Sequence, residues 1–113
     1  MTEGFDLPAY DPGELFRRYQ AQLPDKAALI DALWTRIQAG SGDRDALSLL
    51  RLHAHRLAGS AAPHGLPTLG EAARKMDRAL AGLAEVPDVP TPESLAALAP
   101  LLADLRRALR APG

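Results

Sequence analysis

The residues of this sequence that could carry chemistry are three histidines, His53, His55 and His64, in a chain without cysteine. A solvent-exposed imidazole is largely neutral near pH 7, and its unprotonated nitrogen can attack a phosphoryl group. His53 and His55 lie about 200° apart around a helix, whereas two histidines that bind one metal ion on one helix are spaced by three or four residues. His64 lies in a proline-rich turn. We therefore expect no metal site. The apolar stripe of the same helix points away from His55, so we expect this imidazole to face solvent.

The segment after His55 is rich in small residues, and its glycine needs an explanation. Gly59 lies about one turn beyond His55, and a glycine inside a helix costs about 1 kcal/mol relative to alanine. A bare surface of this kind allows the backbone of a partner protein to approach. A close crossing of two helices within the chain would equally require Gly59. Burial of Gly59 would indicate a crossing, and exposure would indicate a docking surface.

The segment 55–77 resembles the signature of the histidine phosphotransfer (HPt) domain family. The matching positions are His55, Leu57, Gly59, Ser60, Ala61 and Gly65. The family often has a lysine three residues after its histidine, and this sequence has Ala58 there. The resemblance implies a phosphorelay protein of a two-component system, in which His55 carries a phosphoryl group to or from the aspartate of a response-regulator receiver domain. It also implies that the catalytic aspartate and Mg²⁺ belong to the receiver domain, so the chain is a phosphocarrier without a cofactor of its own.

Helical spacing predicts which residues surround His55, since residues three and four positions apart are neighbours on a helix. The predicted docking surface and phosphate environment consist of Arg51, Leu52, Ala58, Gly59, Ala62 and, from the next helix, Lys75. Because Ala58 replaces the usual lysine, we hypothesise that Arg51 neutralises the phosphohistidine. Arg74 and Arg78 are further candidates.

The missing lysine leaves a second function open. An HPt-like helical adaptor could keep the fold without being phosphorylated, and use the same face to bind a receiver domain or a hybrid histidine kinase. Whether the chain is a stand-alone protein or a module of a larger one also stays open.

The elements that must position His55 are predicted to be helices only. Hydrophobic residues make up 47% of the chain and aromatic residues 4%, and its abundant alanine and leucine favour helix. Proline and glycine punctuation predicts a short helix from about residue 12 to 23, and leucine and alanine stripes mark bundle helices at about 25–39, 44–62, 66–84 and 92–110. We expect one domain over 1–113, an antiparallel four-helix bundle with an additional short N-terminal helix and a flexible segment 1–10.

Charge and hydropathy exclude several classes of protein. The net charge is −1, without a basic block that would bind nucleic acid. There is neither a signal-peptide pattern nor an apolar run long enough for a membrane helix. We expect a cytoplasmic monomer that turns over no substrate on its own.

Overall fold

The computed structural model describes residues 11–39, 43–86 and 91–111, and these residues form helices joined by turns, without a strand. The helices are α1 (Pro12–Ala21), α2 (Leu23–Ala39), α3 (Arg44–Ser60), α4 (Pro67–Ala84) and α5 (Pro92–Arg110). The predicted all-α class is therefore confirmed. The segment 1–10, expected to be flexible, lies outside the described residues.

Local sequence signals account for the helix ends. The side chains of Asp11, Asp43 and Thr91 each accept a hydrogen bond from a backbone N–H in the first turn of α1, α3 and α5. The observed bounds of the bundle helices differ from the expected ones by at most two residues. α2 begins at Leu23 because Pro24 is accommodated in the first turn. α3 ends at Ser60, and the turn that follows contains Gly65 with φ of 84°.

The helices α2 to α5 close a ring around one core. α2 packs against α3 and α5, and α4 packs against the same two helices. Short connections make helices that follow one another in sequence antiparallel. The core consists mainly of leucine, isoleucine and alanine, and its largest fully buried side chains are Ile30, Ile37, Leu50, Leu66, Leu69, Met76, Leu102 and Leu105. Among the helices of the described residues, none is both long and apolar enough to cross a membrane.

The helix α1 lies against the turn between α3 and α4. The ring of Tyr19 stacks on that of His64 with centroids 4.2 Å apart. The Tyr19 hydroxyl lies 2.6 Å from Ser60 Oγ, and His64 Nδ1 lies 2.7 Å from the Ser60 carbonyl oxygen. The ring of Phe16 lies 3.5 Å from the point where a side chain at Gly65 would begin. These contacts hold α1 at the end of the bundle where α3 finishes and the turn to α4 begins.

Candidate functional site

His55 lies on the solvent side of α3, because the core side of that helix is occupied by other residues. Leu50, Ala54 and Leu57 are buried, and His55 lies about 100° around the helix from Ala54. The His55 side chain is 74% exposed. Its predicted position outside the leucine core is therefore confirmed.

One carboxylate holds the exposed imidazole. Nδ1 of His55 lies 3.0 Å from Oδ2 of Asp77 on α4, and the Asp77 side chain is only 18% exposed. An ionised carboxylate can only accept a hydrogen bond, so Nδ1 of His55 is the donor. In the neutral ring this leaves the lone pair on Nε2. A proton on Nδ1 facing Asp77 therefore leaves Nε2 as the unprotonated, solvent-facing nitrogen of the neutral ring.

Asp77 was not among the residues predicted for the site. It lies four residues after Ala73 and three before Leu80, at the edge of the buried stripe of α4. A carboxylate in that position is a signal that could have been read from the sequence, because it must find a partner on the neighbouring helix. The sequence alone does not show which turn of α3 it meets.

Arg51 shares the same carboxylate from one turn earlier on α3. Its Nε lies 3.5 Å from Oδ1 of Asp77. That oxygen is buried and has no hydrogen-bond partner among the described residues, so the contact is an ion pair without a hydrogen bond. Asp77 therefore contacts both His55 and Arg51, and its hydrogen bond to His55 at 3.0 Å is stronger than its ion pair with Arg51 at 3.5 Å.

A cavity of 380 Å³ opens beside His55 between α3 and α4. Its walls are largely aliphatic, with arginine side chains at the rim, and the lining residues are Arg44, Leu47, Ser48, Arg51, Leu52, His55, Leu80, Leu83 and Ala84. Leu52 is 40% exposed. His55 therefore adjoins a concave apolar surface that is open to solvent.

The small residues beyond His55 form an open surface. Gly59 and Ala62 are exposed, and Ala58 is half-buried against the core. A Cβ added at Gly59 would meet no atom of the described residues within 4 Å. A helix crossing at Gly59 is therefore excluded. The close approach occurs instead at Gly70 on α4, where an added Cβ would lie 3.5 Å from the backbone nitrogen of Ala62 in the turn that follows α3.

The structure does not bring every predicted site residue together. Arg51, Leu52 and His55 surround the cavity, whereas Lys75 is exposed on α4. Lys75 precedes Asp77 by two residues, about 200° around the helix axis, so it lies on another face of α4. Arg74 is paired with Glu71 at 2.8 Å. A role for Lys75 at His55 stays a prediction, without a contact in the described residues to support it.

The other histidines have separate structural settings. Nδ1 of His53 lies 3.2 Å from the Lys26 ammonium, on the side of α3 that faces α2. Burial lowers the pKa of His53, and the positive charges of Lys26 and Arg56 lower it further. His64 is held in the turn by Ser60. In the part of the chain that the structure describes, no three histidine, aspartate or glutamate side chains are grouped to hold a metal ion.

The described residues thus form a helical bundle that presents an exposed imidazole with a carboxylate partner. The family model of the Hpt domain matches residues 14–111, and the chain belongs to this family. Neither the curated proteins nor the solved structures gave a match. Hpt domains take part in histidine phosphotransfer within phosphorelays, and they interact with response-regulator receiver or kinase domains. They are phosphocarriers, not enzymes in the usual sense.

Proposed function

We propose that His55 is the phospho-acceptor of a phosphorelay and exchanges a phosphoryl group with the aspartate of a receiver domain. The observation that carries the proposal is the 74% exposed imidazole of His55, whose Nδ1 lies 3.0 Å from Asp77. A nucleophile on a rigid helix with one nitrogen already engaged meets the positioning that phosphoryl transfer requires. The carrier is proposed to act as a cytoplasmic monomer.

The proposed transfer balances without a cofactor on this chain. The lone pair of Nε2 on His55 attacks the phosphorus atom of the aspartyl phosphate, an N–P bond forms, and the aspartate leaves as a carboxylate. The imidazole ring becomes positively charged while Nδ1 keeps its proton, and the Asp77 carboxylate stabilises that charge. The reverse step delivers the phosphoryl group to a second receiver domain. The receiver domain supplies the Mg²⁺ that neutralises the phosphoryl oxygens.

Arg51 is proposed to replace the lysine that the family often has at the position of Ala58. Residues 51 and 58 are seven positions apart, about 700° around the helix and close to two full turns, so they lie on the same side of α3, with His55 between them. A guanidinium at Arg51 can therefore approach the phosphohistidine from one turn before it, as a lysine would from one turn after it. Arg51→Ala should shorten the lifetime of the phosphohistidine, and Arg18→Ala on α1 is its control.

The docking surface for the receiver domain is proposed to consist of the cavity beside His55 and the open face at Gly59 and Ala62. Gly59→Ala adds one methyl group to that face. Gly82→Ala is the matched control, because Gly82 on α4 is also exposed and an added Cβ would meet no described atom within 4 Å there. Both substitutions should raise helix stability by about 0.5–1 kcal/mol. Only Gly59→Ala should weaken receiver binding, as measured by calorimetry.

The central test is phosphoryl transfer from a phosphorylated receiver domain. Acid-labile, alkali-stable phosphate should appear on the chain, disappear in His55→Gln and persist in His53→Gln. If His55→Gln binds the receiver domain unchanged and no phosphate is found on the unaltered chain, the protein is an adaptor and the proposal is wrong.

A further inference from the structure

A second cleft lies on the side of α3 that faces α1 and α2. Its volume is 110 Å³, well below the roughly 300–1,000 Å³ of pockets for drug-sized ligands. Polar side chains of Tyr19, Gln22, Lys26, Arg56 and Ser60 line it above an apolar floor. Arg56 directly follows His55 and lies about 100° further around the helix. The cleft is therefore separate from the cavity beside His55 and of a size for a small polar group.

The two positive charges in this cleft have no carboxylate partner among the described residues, whereas most arginines of the bundle have one. Arg36 pairs with Asp43 at 3.1 Å, and Arg106 pairs with Asp31 at 2.5 Å. Within residues 11–39, 43–86 and 91–111, neither Lys26 nor Arg56 contacts a carboxylate. The cleft thus combines two cations without a compensating anion.

The remaining polar groups of the cleft also leave donors available. The Lys26 ammonium has donors only, so it donates to Nδ1 of His53 and keeps two further protons. The hydroxyls of Tyr19 and Ser60 lie 2.6 Å apart. Their mutual hydrogen bond uses one of their two protons, whichever group donates. The other hydroxyl proton can be donated to a ligand, and the Arg56 guanidinium provides up to five further N–H donors.

We propose that this cleft binds one oxyanion, a carboxylate or phosphate group, between Lys26 and Arg56. The lowered pKa of His53 accords with this proposal: burial is its main cause, and the positive charges of Lys26 and Arg56 lower it further. The shared chemistry fits free inorganic phosphate and an acidic side chain of a docked receiver domain. The site does not require His55 to be phosphorylated.

The first experiment titrates the full chain with inorganic phosphate at constant ionic strength, followed by amide NMR shifts. Saturable shifts are expected around Arg56 and Lys26, together with a rise in the pKa of His53, because a bound anion favours the imidazolium. Lys26→Gln and Arg56→Gln should each weaken binding about ten-fold, the loss expected for a hydrogen bond to a charged group. Arg107→Gln is the control, because Arg107 is an exposed cation on α5, which does not line the cleft. Circular dichroism verifies that the variants stay helical.

The second experiment distinguishes the two sources of the oxyanion. If a receiver carboxylate occupies the cleft, Arg56→Gln weakens receiver binding and phosphate competes with the receiver. If free phosphate is the ligand, phosphate still binds to the complex and receiver affinity is unchanged in Arg56→Gln. The absence of saturable phosphate binding together with unchanged receiver affinity overturns the proposal, as does an equal loss in Arg107→Gln. His55→Gln leaves the phosphate titration unaltered, so the result stands apart from the proposed phosphotransfer.

Discussion

Replacing Asp77 with asparagine should slow phosphotransfer without unfolding the protein. The asparagine side chain keeps the shape of the aspartate but loses the negative charge that accepts the hydrogen bond from Nδ1 of His55. Its amide group can also turn and donate to Nδ1, which places the proton of the neutral ring on Nε2. That tautomer has no lone pair where the phosphoryl group must be attacked. The substitution therefore acts on the nucleophile through its orientation and tautomer.

The size of the effect follows from the contacts of Asp77. A hydrogen bond to a charged group contributes about 1.5–3 kcal/mol and a neutral one about 0.5–1.5 kcal/mol. Since the His55 side chain is 74% exposed, we take the low end of both ranges, a difference of about 1 kcal/mol. At 1.36 kcal/mol per factor of ten, transfer should slow about five-fold in Asp77→Asn. Loss of the whole bond in Asp77→Ala should slow it about ten-fold.

Stability should respond differently from activity. Oδ1 of Asp77 is buried without a hydrogen-bond partner in the described residues, and a buried charge of this kind is unfavourable to folding. The ion pair with Arg51 at 3.5 Å contributes at most about 1 kcal/mol. The free energy of unfolding of Asp77→Asn should therefore stay within about 1 kcal/mol of the unaltered protein.

The assay measures the rate of phosphoryl transfer from a phosphorylated receiver domain, together with ¹⁵N NMR of the His55 ring to determine its tautomer. Glu71→Gln is the control, because Glu71 lies on the same helix and is also paired with an arginine, Arg74, at 2.8 Å. Unchanged transfer in both Asp77→Asn and Asp77→Ala would refute the reasoning. So would a shifted rate with an unaltered tautomer population.

Three further outcomes follow from the fold. Gly65→Ala should destabilise the protein by about 1–2 kcal/mol in denaturant unfolding, because Gly65 has φ of 84° and a side chain is strained there. Pro100→Ala should raise the unfolding free energy by up to about 3 kcal/mol, because Pro100 lies inside α5 and cannot donate its backbone hydrogen bond; an unchanged melting temperature would contradict this. Since the folded pKa of His53 lies below its ordinary value of 6.5, the unfolded chain binds more protons, and stability should fall as the pH drops below 6.5. That loss should be smaller in His53→Gln.

The helices could be predicted from the sequence because each carries its own periodic signal. The buried stripe of α4, from Leu69 through Met76 to Leu80, repeats at the helical period and needs no knowledge of its neighbours. The exposure of His55 followed from the same reasoning, since the stripe of α3 faces elsewhere. Periodicity along the sequence therefore predicted the helices and the solvent-facing orientation of the His55 side chain.

Relations between helices could not be predicted in this way. The partnership of His55 with Asp77 depends on the axial register of α3 against α4, which periodicity leaves open. The prediction that Lys75 lies near His55 also depends on this register, and in the structure Lys75 lies on another face of α4 from Asp77. The contact of Tyr19 with His64 depends on how α1 folds back over the turn. These contacts arise from packing across helices, for which the sequence carries no comparable local signal.

The weak contact between Arg51 and Asp77 suits the role proposed for Arg51. If a strong hydrogen bond held the guanidinium on Asp77, moving it to a phosphoryl group would cost most of what the new contact contributes. The Arg51–Asp77 contact spans 3.5 Å and the Arg51 side chain is 48% exposed. Little stabilisation is therefore lost when the guanidinium turns toward a phosphoryl group on Nε2 of His55. Asp77 keeps its shorter contact with Nδ1 of His55, and this hydrogen bond becomes stronger because the phosphorylated ring is positively charged. If His55 carries the phosphoryl group as proposed, the resting site already holds Asp77 at Nδ1, and Arg51 is the group that moves.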